Sequence, residues 1–209
     1  MKSFSNDADI LRYETILFGD LHLRVQVLAS GSGGAVSGAQ FTAQDASFID
    51  AGVEAGCVIW LDNTATHNSF YEVVSVDSAT QLTVSILRDD RDGPVRPPQP
   101  ATEVNYQICS YAPQANDAFI RLCGHFGITA DEAATIPDIS GLRQASVYLT
   151  IATVFATIAG REGFAQEYLD KSERYVDLFL DAVERCCFTV EKGGVTVTKR
   201  GGEMALTRE

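Results

Sequence analysis

The chain has 209 residues, 45% of them hydrophobic, with 28 acidic against 16 basic side chains and a formal net charge of −12. So much apolar material excludes a wholly disordered chain and is ample for a buried core. The acidity argues against a protein that grips nucleic-acid phosphates. No basic flank, apolar run and small-residue cleavage site opens the chain, so no signal peptide is expected. The longest apolar stretch, Val147 to Gly160, is too short to span a bilayer and contains Thr150, Thr153 and Thr157, so no membrane partner is expected either.

Asn6, followed by Asp7, Ala8 and Asp9, predicts a helix cap with acids in the first turn and a short helix through Glu14. From Leu21 the period becomes two: Leu21, Leu23, Val25 and Val27 alternate with His22, Arg24 and Gln26, as in a half-buried strand. Gly31-Ser32-Gly33-Gly34 is expected to break that strand, and a second one follows around Ala39 to Thr42. Further strands are expected at Cys57 to Leu61, Phe70 to Val76, Gln81 to Leu87 and Val104 to Ser110, the middle pair joined by a four-residue loop, Asp77 to Thr80. The charged run Arg88 to Gly93 and the prolines up to Pro100 read as an exposed loop. Six short strands in this region suggest a small barrel or sandwich.

After Pro113 the pattern is helical, with Ala115, Ala118, Phe119, Leu122, Cys123 and Phe126 recurring at three- and four-residue steps until Gly127. Thr129 and Glu132 form a capping box for a short turn that Pro137 stops. Ser140 is expected to cap a central helix, Leu142 to Gly160, that is apolar nearly all round, and Gly163 marks a kink or break. From Phe164 to Cys187 the chain is amphipathic: Phe164, Tyr168, Tyr175, Phe179, Ala182 and Cys186 form one row, with Leu169, Val176, Leu180 and Val183 beside it. Phe188 to Thr198 then reads as a hairpin around Gly193-Gly194, trailed by a polar tail to Glu209.

These elements predict an α+β chain: a helical bundle with an inserted small antiparallel β-barrel or sandwich and a C-terminal β-hairpin arm. The expected divisions are residues 1–20, a helical segment packing on the bundle; 21–111, the inserted β domain; 112–187, the bundle; and 188–209, the hairpin and tail. Two strands alone are marginal in water, so the hairpin must lean on something, either a partner subunit or its own bundle.

Reactive chemistry is sparse in the sequence. The five cysteines, Cys57, Cys109, Cys123, Cys186 and Cys187, form no CxxC pair and read as free thiols, and the Cys123-His125 pair has no second pair to complete a zinc site. Gly33 to Gly38 has the glycine spacing of a phosphate loop, but Ala39 and Gln40 stand where Lys and Ser or Thr are required. Asp89, Asp90 and Asp92 could hold a hard cation, but Arg88 and Arg91 compete for the same carboxylates, which favours a solvated loop. No nucleophile elbow, zincin helix or calcium loop is present, and Trp60 reads as core or interface. No catalytic residue, metal or cofactor is expected.

The opening Asn6 to Glu14 with Leu17-Phe18, the β stretch through Phe41-Thr42, Phe48, Ala51-Gly52-Val53, Gly56 to Ile59 and Tyr71 to Val84, and the helices from Pro113 to Cys187 together resemble a family, the head-tail adaptor (connector) proteins of tailed bacteriophages. The large β insertion departs from the many adaptors that are chiefly helical. The resemblance implies a structural virion protein, not an enzyme, that assembles in the bacterial host cytoplasm and resides at the head-tail interface. It implies a homo-oligomeric ring, commonly twelve-fold, between the portal protein and a tail or stopper protein, around a channel through which genome DNA passes without specific binding. Interface residues are then expected on the hairpin, at Phe188, Val190, Val195, Val197 and Arg200, where exposed strand edges pair with neighbours. The alternatives to an adaptor are a head- or tail-completion protein and a β-type receptor- or carbohydrate-binding virion module, whose expected mark is an exposed aromatic cluster. Trp60, Phe70 and Tyr71 form the close set to inspect.

Overall fold

The computed structural model describes residues 3–19, 21, 24–63, 67–160 and 165–201. Among them the protein is mixed α+β, with five helices, a closed antiparallel barrel of six strands and a two-strand hairpin. Its contacts divide it into two compact units, one of Asn6–Tyr111 and one of Met1–Ser5 with Ala112–Glu209.

The first unit is the barrel. Strands β1 (Val27–Ser37), β2 (Gln40–Thr42), β3 (Val58–Asn63), β4 (His67–Ser78), β5 (Gln81–Ser85) and β6 (Ala101–Cys109) run in the order β1-β2-β5-β4-β3-β6, and β6 closes on β1. Alternation puts Ile59 and Leu61 of β3, Val73 of β4, Leu82 and Val84 of β5, and Val104 and Ile108 of β6 in the interior, all fully buried. Phe41, Phe48 and Tyr106 fill the remaining space as a three-ring cluster with centroids 5.3–6.2 Å apart.

Two sequence expectations fail at and just before β1. Residues Arg24–Gln26 form a 3-10 turn, not a strand, with Val25 91% exposed and Gln26 buried, the inverse of the expected alternation; His22 and Leu23 lie outside the described residues. The glycine run lies inside the strand instead of breaking it. A Cβ on Gly31 would strike the Tyr106 ring, and one on Gly34 the Phe41 ring, so glycine lets the barrel's two central aromatics lie against the β1 backbone. Gly33, at φ 72°, occupies the irregularity between Gly31 and Gly34 that bends β1 around the barrel. The expected four-residue loop is also shorter: Ser78 pairs with Gln81, leaving Ala79-Thr80 as the turn.

The N-terminal helix α1 (Asp7–Leu11) belongs to this unit, which corrects the expectation that residues 1–20 pack on the helices. Asn6 caps it as the sequence predicts, Asp9 completing a reciprocal capping box, but the helix ends at Leu11 rather than Glu14. Its carboxylates are turned to barrel partners: Asp7 accepts the Tyr111 N–H at 2.7 Å, and Asp9 accepts from Arg91 and Arg12. Gly56 admits the Asn6 side chain, and the Ala8 N–H donates to the Gly56 carbonyl.

The second unit contains α2 (Ala112–Phe126), α3 (Ala130–Ala133), α4 (Ser140–Ala159), α5 (Ala165–Arg185), β7 (Cys187–Lys192) and β8 (Val195–Arg200). All six periodic positions expected in α2, from Ala115 to Phe126, are buried. The capping box of α3 forms between Thr129 and Glu132. The N-cap position of α4 is Ile139, which gives no side-chain cap, and not Ser140 as the sequence suggested; just before it the Asp138 carboxylate accepts the Ser140 N–H at 2.9 Å. This hydrogen bond holds the Asp138 carboxyl below its usual range.

Helix α4 packs against α2 and α5. It is long and apolar enough to cross a membrane by length and composition, yet 72% of its most apolar window is buried inside the protein, as in a core helix. Phe4 lies against Phe119, and the Ser5 and Ser146 hydroxyls share a 2.8 Å hydrogen bond. The kink expected at Gly163 and the Phe164 member of the apolar row lie outside the described residues.

Candidate functional site

The barrel unit carries a cleft on the outer face of the β3–β4–β6 sheet. Register builds it. Trp60 pairs directly with Phe70 on one side and with Gln107 on the other, so the three side chains leave the sheet on the same face. Asn68, two residues before Phe70, extends the row, and its Oδ1 accepts the Trp60 Nε1–H at 3.3 Å. One step toward α1, Val58, Glu72 and Cys109 occupy the same face but are buried.

The opposite wall is the segment after α1. A 3-10 turn, Thr15–Leu17, is fixed by Leu17 and Phe18, both buried. Tyr111 anchors it twice, donating from its hydroxyl to the Leu17 carbonyl at 2.6 Å and meeting the Phe18 ring edge-on at 5.2 Å. Thr15, Ile16, Phe18 and Gly19 then face Trp60, Phe70, Asn68 and Gln107 across a cleft of about 670 Å³, within the roughly 300–1,000 Å³ of small-ligand sites. None of these eight side chains ionises, in a chain of net charge −12. Gln107 Nε2 donates to Cys109 Sγ, while its Oε1 and the Asn68 Nδ2 make no hydrogen bond among the described residues.

Of the aromatic set picked from the sequence, Trp60 and Phe70 are half-buried on this outer face. Tyr71 points into the barrel, where its hydroxyl lies 2.9 Å from Nδ1 of the buried His67. The wall of the cleft was not legible in sequence, because it comes from the N-terminal segment and from β6, far away along the chain.

The arginines beside the buried carboxylates of this unit are engaged with them. Arg88 holds the buried Glu72 through its Nη2 at 2.8 Å and Nε at 3.2 Å and donates to the Gly93 carbonyl. Arg91 reaches Asp9. The charged loop is thus anchored at both arginines instead of being freely solvated, while Asp89, Asp90 and Asp92 stay exposed. Burial pushes the Asp7 carboxyl up to about 6, against the lowering effect of hydrogen bonds from the Tyr111 backbone, Ser110 and Cys57. Burial also pushes the Cys57 thiol up to about 12 and Cys109 to about 11, which leaves both un-ionised at neutral pH. No cluster of three or more His, Cys, Asp or Glu side chains suited to a metal occurs among the described residues. On α2, Cys123 is buried and His125 exposed, so the Cys-x-His pair does not converge.

The helical unit presents a different kind of surface. Of the five expected interface residues, Phe188 and Val190 of β7 are buried in the chain's own unit, Phe188 meeting the Phe126 ring edge-on at 5.0 Å. The Glu191 N–H donates to Thr135 Oγ1, and Lys192 lies 3.9 Å from Glu132. The hairpin therefore leans on its own helices, one of the two supports the sequence left open. Strand β8 carries the other three: Val195 is 63% exposed, Val197 half-buried and Arg200 exposed, and no third strand pairs with β8 among the described residues. The tail 202–209 lies outside the described residues. On α5, Tyr168, Tyr175, Ala182 and Cys186 of the predicted row are buried, but Leu169, Val176 and Leu180 beside it are exposed, Leu180 by 52%. Their spacing of seven and four residues keeps them on one helix face.

No protein-family model matches this chain, nor does any curated protein or solved structure.

Proposed function

We propose that this chain is a structural virion protein, a head-tail adaptor that assembles as a ring between portal and tail around the DNA channel. The observation that carries the reading is the apolar stripe Leu169, Val176 and Leu180 on α5, left uncovered by the rest of the described chain. A closed ring requires two different, complementary patches on every subunit. The α5 stripe supplies one, and the unpaired edge of β8 with Val195, Val197 and Arg200 supplies the second. In this reading the helical unit is the rigid bundle of the ring and the barrel is an inserted second unit. Net charge −12 suits a channel wall that lets DNA slide past.

Sedimentation velocity and negative-stain imaging of the full chain, alone and mixed with a portal protein, test this. Rings or portal-bound assemblies are expected for the natural sequence, and Leu180→Glu should abolish them while leaving the thermal midpoint nearly unchanged. A chain that stays monomeric under both conditions, or a Leu180→Glu variant that assembles normally, overturns the reading.

A further inference from the structure

We propose that the Trp60–Phe70 cleft of the barrel binds a segment of a neutral oligosaccharide. The two rings are cross-strand neighbours, half-buried on the outer face of the sheet, and both line the cleft beside Phe18 and Ile16. The C–H face of a pyranose carries partial positive charge and fits the negative face of such rings. Around the rings stand polar groups of the kind that read hydroxyls. Asn68 Nδ2 offers a donor, Gln107 Oε1 an acceptor, and the Thr15 hydroxyl either. A purely apolar partner, such as a peptide side chain, would leave these amides desolvated and unpaired.

The charge pattern narrows the class. Every described lining side chain is neutral although charged residues make up 21% of the chain. Among the described lining residues nothing would balance a uronate, sulfate or phosphate, and a chain of net charge −12 repels anions. The cleft is also held in shape before any ligand arrives, since Leu17, Phe18 and Tyr111 lock the wall and the barrel ladder fixes the ring pair. Such preorganisation limits the entropy lost on binding. This inference is independent of the ring assembly proposed above: a monomer that binds sugar leaves it intact, and a ring that binds none defeats it alone.

Trp60 is the only tryptophan in the chain, so its emission reports the cleft directly. The full-length protein would be titrated to millimolar concentration with neutral hexasaccharides of α-1,4-glucose, β-1,4-glucose, β-1,4-mannose and β-1,4-N-acetylglucosamine, and with a galacturonate hexamer as the anionic arm. At least one neutral sugar is expected to shift the emission saturably, with the galacturonate weaker by about tenfold or more, a difference of about 1.4 kcal/mol. Phe70→Leu, which keeps apolar volume but removes the ring face, and Gln107→Ala should each weaken binding by at least about tenfold in calorimetry, with unchanged circular dichroism. Silence from all four neutral sugars overturns the proposal, as does binding that survives both substitutions. Binding of an apolar dye such as anilinonaphthalene sulfonate with no response to sugar would also overturn it, marking the cleft as an apolar docking site.

Discussion

Hydrogen bonds from Tyr111 N–H, Ser110 and Cys57 converge on the buried Asp7 carboxyl at the point where the chain enters and leaves the barrel unit. Desolvation outweighs them, so the acid is pushed up to about 6 from 3.8. The folded state therefore holds this proton more tightly than the unfolded chain does. The ionised carboxylate weighs against folding above pH 6, and that penalty is relieved as pH falls from 6 toward 4. A shift of about two units corresponds to roughly 3 kcal/mol at full effect. Asp7→Asn keeps an oxygen to accept the Tyr111 N–H but cannot titrate. Urea midpoints of wild type and variant should therefore diverge with pH, wild type gaining relative to Asn between pH 7 and pH 4.5. A difference that stays flat over that window would show that the carboxyl titrates normally.

At the scale of elements, the hairpin divides into a strand that folds the protein and a strand that faces outward. Phe188 on β7 is buried against Phe126, so Phe188→Ala should cost about 3 kcal/mol or more. Val195 on β8 is 63% exposed, and Val195→Lys should move stability by no more than about 0.5 kcal/mol while weakening self-association. Chemical denaturation of both variants, read beside their sedimentation profiles, checks the division. Equal destabilisation by the two would mean that β8 is as much a core strand as β7. Helix α2, the Asn6 cap and the Thr129–Glu132 capping box were legible in the sequence because their signals are local, a 3.6-residue period and bonds across three residues. Strand β1 was not legible, because its glycines answer to Tyr106 and Phe41, which reach them only once the barrel has closed. Likewise the Trp60–Phe70 pair could be noticed in sequence, but Gln107, Thr15 and Ile16 join it through register and through the course of the N-terminal segment. The α5 stripe was seen as apolar. Its exposure could not be, since an amphipathic pattern states which residues avoid water and not what covers them.

For the whole molecule, charge and apolar surface oppose each other in assembly. Each copy brings a net charge of −12, and Asp170, Glu173, Asp177, Asp181 and Glu184 on α5 are all exposed near the stripe. Like copies repel at low ionic strength, while at 0.15 M salt the screening length falls to about 8 Å and the apolar contact dominates. Self-association should accordingly strengthen as sodium chloride rises from about 0.02 to 0.3 M, a range that spans screening lengths above and below subunit contact distances. Sedimentation equilibrium across that series measures it. Association that weakens with salt would mean that ion pairs, and not the stripe, hold the copies together.

The hydrogen bond from Tyr111 to Asp7 has a consequence for the order of folding. Residues 3–5 must find α2 and α4 across the whole barrel sequence, and the Ser5–Ser146 pair closes a separation of 141 positions. For an unfolded insertion that closure carries a loop entropy growing with the logarithm of its length. Once the barrel is folded, its two ends are pinned side by side at Asp7 and Tyr111, and the helical unit meets the equivalent of a very short connection. The barrel thus acts as an intramolecular staple for the first few residues, and lesions confined to its core should slow the helices' own final docking step.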